Sequence, residues 1–160
     1  MAASPDTKVS MLRHALATLA YRAAKPLCGA PAGFSGFQGA APQTPGRILA
    51  HLCDLFDWAA KLADGIHEWR DTNPGAWEAD TARFFAGLEA LDRRLAADRP
   101  LGCDAERLFQ GPIADALTHV GQLAMLRRLA GAPIKGENYY KASIESGRTG
   151  PGQPAPVVEF

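Results

Sequence analysis

The stretch TPGRILAHLCDLFDWAAKLAD, residues 44–64, carries the clearest helical pattern in the chain. Its apolar side chains recur every three or four residues and so share one face of an α-helix, a stripe formed by Ile48, Leu52, Leu55, Ala59, Leu62 and Ile66. Thr44 can cap such a helix, and Pro45 suits its first turn, where a backbone N–H would have no partner. The pattern predicts a helix over residues 45–64 that buries one side.

Three further stretches show the same periodicity. They predict helices over residues 5–25, with Ser4 as the cap before Pro5, over 78–97, and over 105–130, ending at Gly131. Gly111-Pro112 falls inside the last stretch, and because proline interrupts helical hydrogen bonding, we expect that helix to be kinked or broken there.

Four helices of about 20 residues, each with one apolar face, bury those faces best as a bundle. No segment alternates as a strand does. The sequence therefore predicts an all-α, four-helix bundle that forms a single domain over residues 1–160. Residues 132–160 form a Gly- and Pro-rich tail that packs on the bundle or extends from it.

Charge and cysteine content narrow the function classes. Lys plus Arg and Asp plus Glu both number 17, so the chain has no overall attraction to nucleic acid or to an anionic membrane. No apolar run is long enough to cross a bilayer, and the N-terminus does not resemble a secretory signal. Cys28, Cys53 and Cys103 form no CxxC pair and no disulfide framework. We expect a cytoplasmic protein, with Cys53 as a packing residue.

Two histidines lie at the edges of apolar stripes on different predicted helices. His51 is in the second helix and His119 in the last, four residues after Asp115. Residues four apart lie on the same helix face, so Asp115 and His119 can face one metal ion and His51 can add a third ligand. Two imidazoles and one carboxylate leave positions open for water or substrate, as in a catalytic metal site.

Each of these residues also has a purely structural explanation. A histidine beside an apolar stripe is commonly a boundary residue, and Asp115 would lie in a first helical turn, where acids are favoured. Asp54 can orient His51, add a ligand or stand as a solvated charge, and we favour the solvated charge. A metal-free bundle that binds a small molecule or self-associates therefore stays open as an alternative.

Several short motifs follow one another along the chain. They are Thr44-Pro45 with Ile48-Leu49-Ala50-His51, His119-Val120-Gly121-Gln122-Leu123, Leu126-Arg127-Arg128-Leu129-Ala130-Gly131, Gly136-Glu137-Asn138-Tyr139 and Ile144-Glu145-Ser146-Gly147. In their order and spacing, these motifs resemble the DinB-like (DinB/YfiT-like) superfamily over nearly the whole chain. The resemblance implies a four-helix bundle with a divalent metal held by three histidines, one on the second helix and two in an HxxxH on the last.

One residue departs from that family pattern. His51 and His119 match the first and third histidines, whereas Asp115 stands at the middle position. A carboxylate also binds Zn, Ni, Fe or Mn, so the departure implies either a changed metal preference or a lost metal.

The resemblance also implies a reaction. Family members include low-molecular-weight thiol S-transferases and a thiol-dependent isomerase, and others are described as hydrolases. We expect a mononuclear metal site that acts on a small-molecule substrate with a low-molecular-weight thiol, metal-dependent hydrolysis being the alternative. Glu137 is a candidate acid/base or metal-supporting residue. The glycine-rich residues 27–43 and residues 137–140 are expected to cover the pocket, and a homodimer is expected on the resemblance alone.

Overall fold

The computed structural model describes residues 7–39 and 42–160, so the predicted Ser4 cap and Pro5 lie outside the described residues. Its helices are α1 (Thr7–Leu27), α2 (Pro45–Ala63), α3 (Trp77–Ala96), α4 (Ala105–Leu108) and α5 (Ala114–Leu129). Short 3-10 turns occupy Phe34–Gly36 and Tyr139–Lys141. No strand occurs in the described ranges, which confirms the all-α prediction.

The predicted caps of α2 and α5 are confirmed. Thr44 Oγ1 accepts a hydrogen bond from the Arg47 N–H at 3.3 Å, and Pro45 is the first residue of α2. Beyond α5, Gly131 has a φ of 77°, and its N–H donates to the Arg128 carbonyl at 3.1 Å. The next N–H, of Ala132, donates to the Arg127 carbonyl at 2.9 Å, which completes a Schellman motif.

The predicted helix over 105–130 is divided. A π-helical turn, Phe109–Ile113, separates α4 from α5 and contains Pro112. Proline has no N–H for the normal helical bond, and a wider turn accommodates its ring without ending the helical path. A bend of the helix axis at this turn stays a prediction.

α2 and α3 run in the same direction. Asp54, in the middle of α2, pairs with Arg83 of α3, and Asp64, at the C-terminal end of α2, pairs with Arg94 near the C-terminal end of α3. The contacts therefore follow the same order along both helices. Two parallel neighbours cannot be joined by a tight turn. Residues 65–76, which we call the crossover segment, therefore return along the side of the bundle.

α1 runs antiparallel to α3 and parallel to the α4–α5 unit. Four contacts give these directions, namely Arg13–Asp92 and Leu27–Trp77 between α1 and α3, and Lys8–Glu106 and Pro26–Arg127 between α1 and the α4–α5 unit. The long helices thus form two antiparallel pairs of parallel helices.

The core is built from the predicted apolar stripes. Its large, fully buried side chains come from all four long helices and include Leu16, Leu19, Leu49, Leu52, Phe56, Phe84, Leu88 and Leu123. Ile66 is the exception in the α2 stripe. It lies beyond the end of α2 and is 51% exposed, so its assignment to the buried stripe was wrong. None of the described helices has the length and apolar character needed to span a membrane.

The tail packs against α1. The Tyr139 ring meets the Tyr21 ring edge-on at 6.3 Å, and the Arg22 guanidinium lies over Tyr139 at 4.1 Å. Lys25 Nζ reaches Glu159 Oε2 at 2.8 Å. These contacts hold the middle of the tail, at Tyr139, and its C-terminal end, at Glu159, on α1.

Candidate metal centre

The three residues proposed as metal ligands come together between α2 and α5. His51 Nε2 lies 3.1 Å from Asp115 Oδ2, and His119 Nε2 lies 3.5 Å from Asp115 Oδ1. The imidazole rings of His51 and His119 meet edge-on with centroids 4.9 Å apart. One ligand atom from each residue lies within 4.8 Å of the others, so the group could hold a metal ion.

The donor set fits a divalent transition metal. Ligand atoms about 2.1 Å from a tetrahedral ion lie about 3.4 Å from one another, which is close to both carboxylate–imidazole distances. The widest separation within the group, up to 4.8 Å, requires a small inward rotation of the side chains. All three side chains are partly exposed, by 37% for His51, 46% for Asp115 and 22% for His119, so they have room for that rotation.

Gln122 orients one of the imidazoles. Its Oε1 lies 2.7 Å from His119 Nδ1, and because an amide oxygen only accepts, Nδ1 is the donor in this bond. With Nδ1 engaged in this way, Nε2 is the ring nitrogen that faces Asp115 and that a metal could use. The sequence analysis quoted Gln122 within a motif but gave it no role. Its position three residues after His119 on one helix face was the available signal.

A cavity of about 380 Å³ opens beside the two imidazoles. Eight of its ten lining residues are of polar types, and the lining consists of Gln43, Arg47, Ile48, His51, Asp54, Asp71, Thr72, Asn73, Pro74 and His119. Its volume is in the range of small-molecule sites. The crossover segment supplies one wall, and of the glycine-rich residues 27–43 only Gln43 is among the described lining residues.

A buried carboxylate anchors that wall. Asp54 is 3% exposed and accepts hydrogen bonds from the Thr72 N–H at 2.8 Å and from Thr72 Oγ1 at 2.7 Å. Arg83 Nη2 donates to the same carboxylate at 2.8 Å. The interpretation of Asp54 as a solvated charge was therefore wrong, because its oxygens are occupied in holding the crossover segment to α2 and α3.

Trp69, also in the crossover segment, lies beside the three candidate metal ligands. Its ring centroid is 5.7 Å from that of His51 and 5.5 Å from that of Trp58. Its indole N–H donates to Asp71 Oδ1 at 3.0 Å. The segment therefore places an aromatic ring next to one candidate ligand and a carboxylate in the cavity wall.

Glu137 lies away from this cavity. It is buried against α1, where it accepts a short hydrogen bond from the Tyr21 hydroxyl and lies 3.1 Å from Lys25 Nζ. The structure thus gives Glu137 partners in α1 rather than a place at the candidate ligands. Residues 137–140 do not line the cavity, and Tyr139 packs on Tyr21 of α1 instead, so the expectation that this segment covers the pocket was wrong.

The remaining histidines and cysteines play no part in the group. His14 and His67 are exposed on other parts of the surface. Cys53 is buried, its thiol donates to the Asp80 carbonyl at 3.2 Å, and burial raises the pKa of this thiol to about 12. Cys53 is therefore a packing residue, as predicted, and not a nucleophile.

No protein-family model matches the chain, no curated protein matches it, and no solved structure matches it. The resemblance to the DinB-like superfamily accordingly stays a prediction based on the sequence motifs. The functional interpretation depends on the geometry of His51, Asp115 and His119 and of the cavity beside them.

Proposed function

We propose that this chain is a metal-dependent enzyme that holds one divalent ion with His51, Asp115 and His119. The observation that carries the proposal is the position of one carboxylate between two imidazoles, at 3.1 and 3.5 Å. Zn, Ni, Fe and Mn all accept this set of nitrogen and oxygen ligands.

A role in stabilising the fold does not explain well why His51, Asp115 and His119 lie together. The contact of His51 with Asp115 is between a third and a half exposed, and even ion pairs with that exposure contribute little to folding. The additional bond from Gln122 restricts the His119 ring to one orientation, as supporting residues do for metal-binding histidines. Placement of the group beside a polar cavity gives a ligand access to it.

We further propose that the chain is DinB-like and transfers a low-molecular-weight thiol to a small electrophile. When bound, the ion would favour the thiolate form of the thiol and so supply the nucleophile. The crossover segment, held by Asp54, would shape the space in which the electrophile lies. Product analysis with and without added thiol distinguishes this reaction from hydrolysis.

The metal is tested by elemental mass spectrometry on protein without a polyhistidine tag. Wild type and His14→Ala, an exposed histidine of α1, should carry close to one equivalent, whereas His119→Ala should lose it. Circular dichroism establishes that both variants are folded, and His119→Gln repeats the test with a better-matched side chain. If wild type takes up no Zn, Ni, Mn or Fe(II), the proposed metal site is wrong.

The thiol is tested on Co(II)-substituted protein. A thiol that reaches the ion should produce thiolate-to-cobalt charge-transfer absorption, and the absence of any spectral change with cellular thiols would refute thiol transfer. The expected homodimer remains a separate prediction, to be checked by light scattering coupled to size-exclusion chromatography.

A further inference from the structure

The charge of one cavity-lining side chain, that of Arg47, takes no part in the contacts that hold the described residues together. Arg47 lies one turn before His51 on α2, is exposed, and lines the same cavity as the two imidazoles. Within residues 7–39 and 42–160, its guanidinium has no hydrogen-bond or ion-pair partner. Only its backbone N–H is engaged, by the Thr44 cap.

Its position is unfavourable for stability. Arg47 is in the first turn of α2, where the helix dipole disfavours a cation. Many other arginines contact a carboxylate or a carbonyl, including Arg13, Arg83, Arg94, Arg99, Arg127 and Arg148. Arg22, which lies over the Tyr139 ring, and Arg70 and Arg128 also have no such contact in the described residues, but none of the three lines this cavity.

The other charges of the cavity leave room for an anion once a metal is present. Arg83 pairs with Asp54 and also with Asp57, which is exposed and does not line the cavity. Asp71 accepts the Trp69 indole N–H and is not paired with Arg47. With Arg83 set against Asp54 and Asp57 left out as solvent-exposed, the remaining charges are those of Arg47, Asp71 and Asp115, so a divalent ion on the three ligands would leave one excess positive charge at the cavity. A single carboxylate would balance it.

We propose that Arg47 binds a carboxylate group of the molecule that reaches the metal. This inference rests on the proposed function, and it assigns the substrate or co-substrate to the class of small carboxylic acids. A guanidinium forms two parallel hydrogen bonds with a carboxylate, which fixes orientation as well as charge. Gln43 and Asn73, which line the same cavity, can supply amide donors beside it.

The helix spacing limits the size of that molecule. Arg47 and His51 are separated by about 6 Å along the helix axis, one turn of α2. A molecule that contacts both the ion and Arg47 must therefore place its carboxylate a few bonds from the atom that reaches the ion. A cavity of about 380 Å³ accepts compounds of that size.

The experiment compares matched thiols that differ only in charge. We would load wild type, Arg47→Gln and the control Arg128→Gln with Co(II), and titrate each with 3-mercaptopropionate and with 3-mercaptopropan-1-ol. Calorimetry gives the affinities, and the charge-transfer band shows whether the sulfur reaches the ion. The comparison is repeated with 6-mercaptohexanoate and 6-mercaptohexan-1-ol, because the longer acid does not readily chelate the metal through both ends.

Wild type and Arg128→Gln should bind the acid about tenfold more tightly than the alcohol, and Arg47→Gln should reduce that ratio to near one. If wild type binds the acid and the alcohol equally well, or binds neither of them, the inference is overturned while the metal site is left intact. A preference that survives in Arg47→Gln would mean that the metal alone selects the acid, which also overturns it.

Two further outcomes separate the remaining possibilities. If inorganic phosphate displaces 3-mercaptopropionate at lower concentration than acetate does, in wild type but not in Arg47→Gln, the group recognised is a phosphate and the carboxylate assignment is wrong. If wild type binds no cobalt, the proposed metal site fails first and this inference fails with it.

Discussion

Replacing Gln122 tests the metal centre through a residue that is not itself a ligand. Gln122 accepts the His119 Nδ1–H at 2.7 Å and so keeps Nε2 directed at Asp115. Loss of such a supporting bond typically lowers metal affinity by about 10–100-fold, or about 1.4–2.8 kcal/mol. Gln122 is exposed, so water can take its place as acceptor, and Gln122→Ala should therefore weaken binding by about tenfold, the lower end of that range.

The opposite change should have the opposite effect. In Gln122→Glu, a carboxylate would accept the Nδ1–H more strongly and make Nε2 a better electron donor, so affinity should equal or exceed that of wild type. Affinities are measured by competition with a chelating dye, with the exposed Gln110→Ala as control. If both variants match wild type, the role of Gln122 is refuted. Tighter binding by Gln122→Ala would show that the metal uses His119 Nδ1 instead.

Two further predictions concern buried polar groups. Asp54→Ala should lower the free energy of unfolding by about 3 kcal/mol, because it removes the acceptor of both Thr72 hydrogen bonds and leaves the exposed Asp57 as the carboxylate partner of Arg83. Asp57→Ala should cost less than about 1 kcal/mol, and urea titration measures both changes. Burial, together with the hydrogen bond to Glu137, raises the pKa of Tyr21 above its ordinary value near 10. Above about pH 10 the unfolded chain then releases a proton that the folded chain keeps, so stability should fall as pH rises, and less steeply in Tyr21→Phe. Equal slopes for the two proteins between pH 9 and 11 would contradict this assignment.

The helices could be predicted because their information is local. α2 and α3 begin and end within one residue of the predicted bounds, since an apolar face repeats along each helix and a cap such as Thr44 marks an end. The same local reasoning brought Asp115 and His119 together, four residues apart on α5. That His51 would face them needed the additional assumption that the stripes of α2 and α5 pack against each other.

The crossover segment could not be predicted in the same way. Residues 65–76 have no helical or strand period, and what holds them is a set of bonds to carboxylates distant in the chain, such as that from Thr72 to Asp54. The sequence showed Asp54 only as an acid near the apolar stripe of α2. Its burial depends on Arg83, in a different helix, and on the parallel direction of α2 and α3.

The position of Glu137 could not be predicted from its sequence motif. A glutamate in a motif that resembled the family tail was an attractive acid/base candidate, but chain order gave no information on which face of the bundle the tail would cover. Tyr21 and Lys25 determine that face, because they offer Glu137 a hydroxyl donor and a cation within α1. A buried carboxylate requires such partners, and the tail lies where they are found.

Asp115 fits the proposed metal centre through its position between the two histidines. One of its carboxylate oxygens lies 3.1 Å from His51 Nε2 and the other 3.5 Å from His119 Nε2, and the two imidazole centroids are 4.9 Å apart. The proposed ion would be held by these three side chains with little rearrangement, so little of the binding free energy should be spent on bringing the ligands together. The carboxylate would also bring a negative charge to the ion, which a third histidine at position 115 would not. The aspartate is therefore compatible with a working site and is not by itself a sign of a lost one.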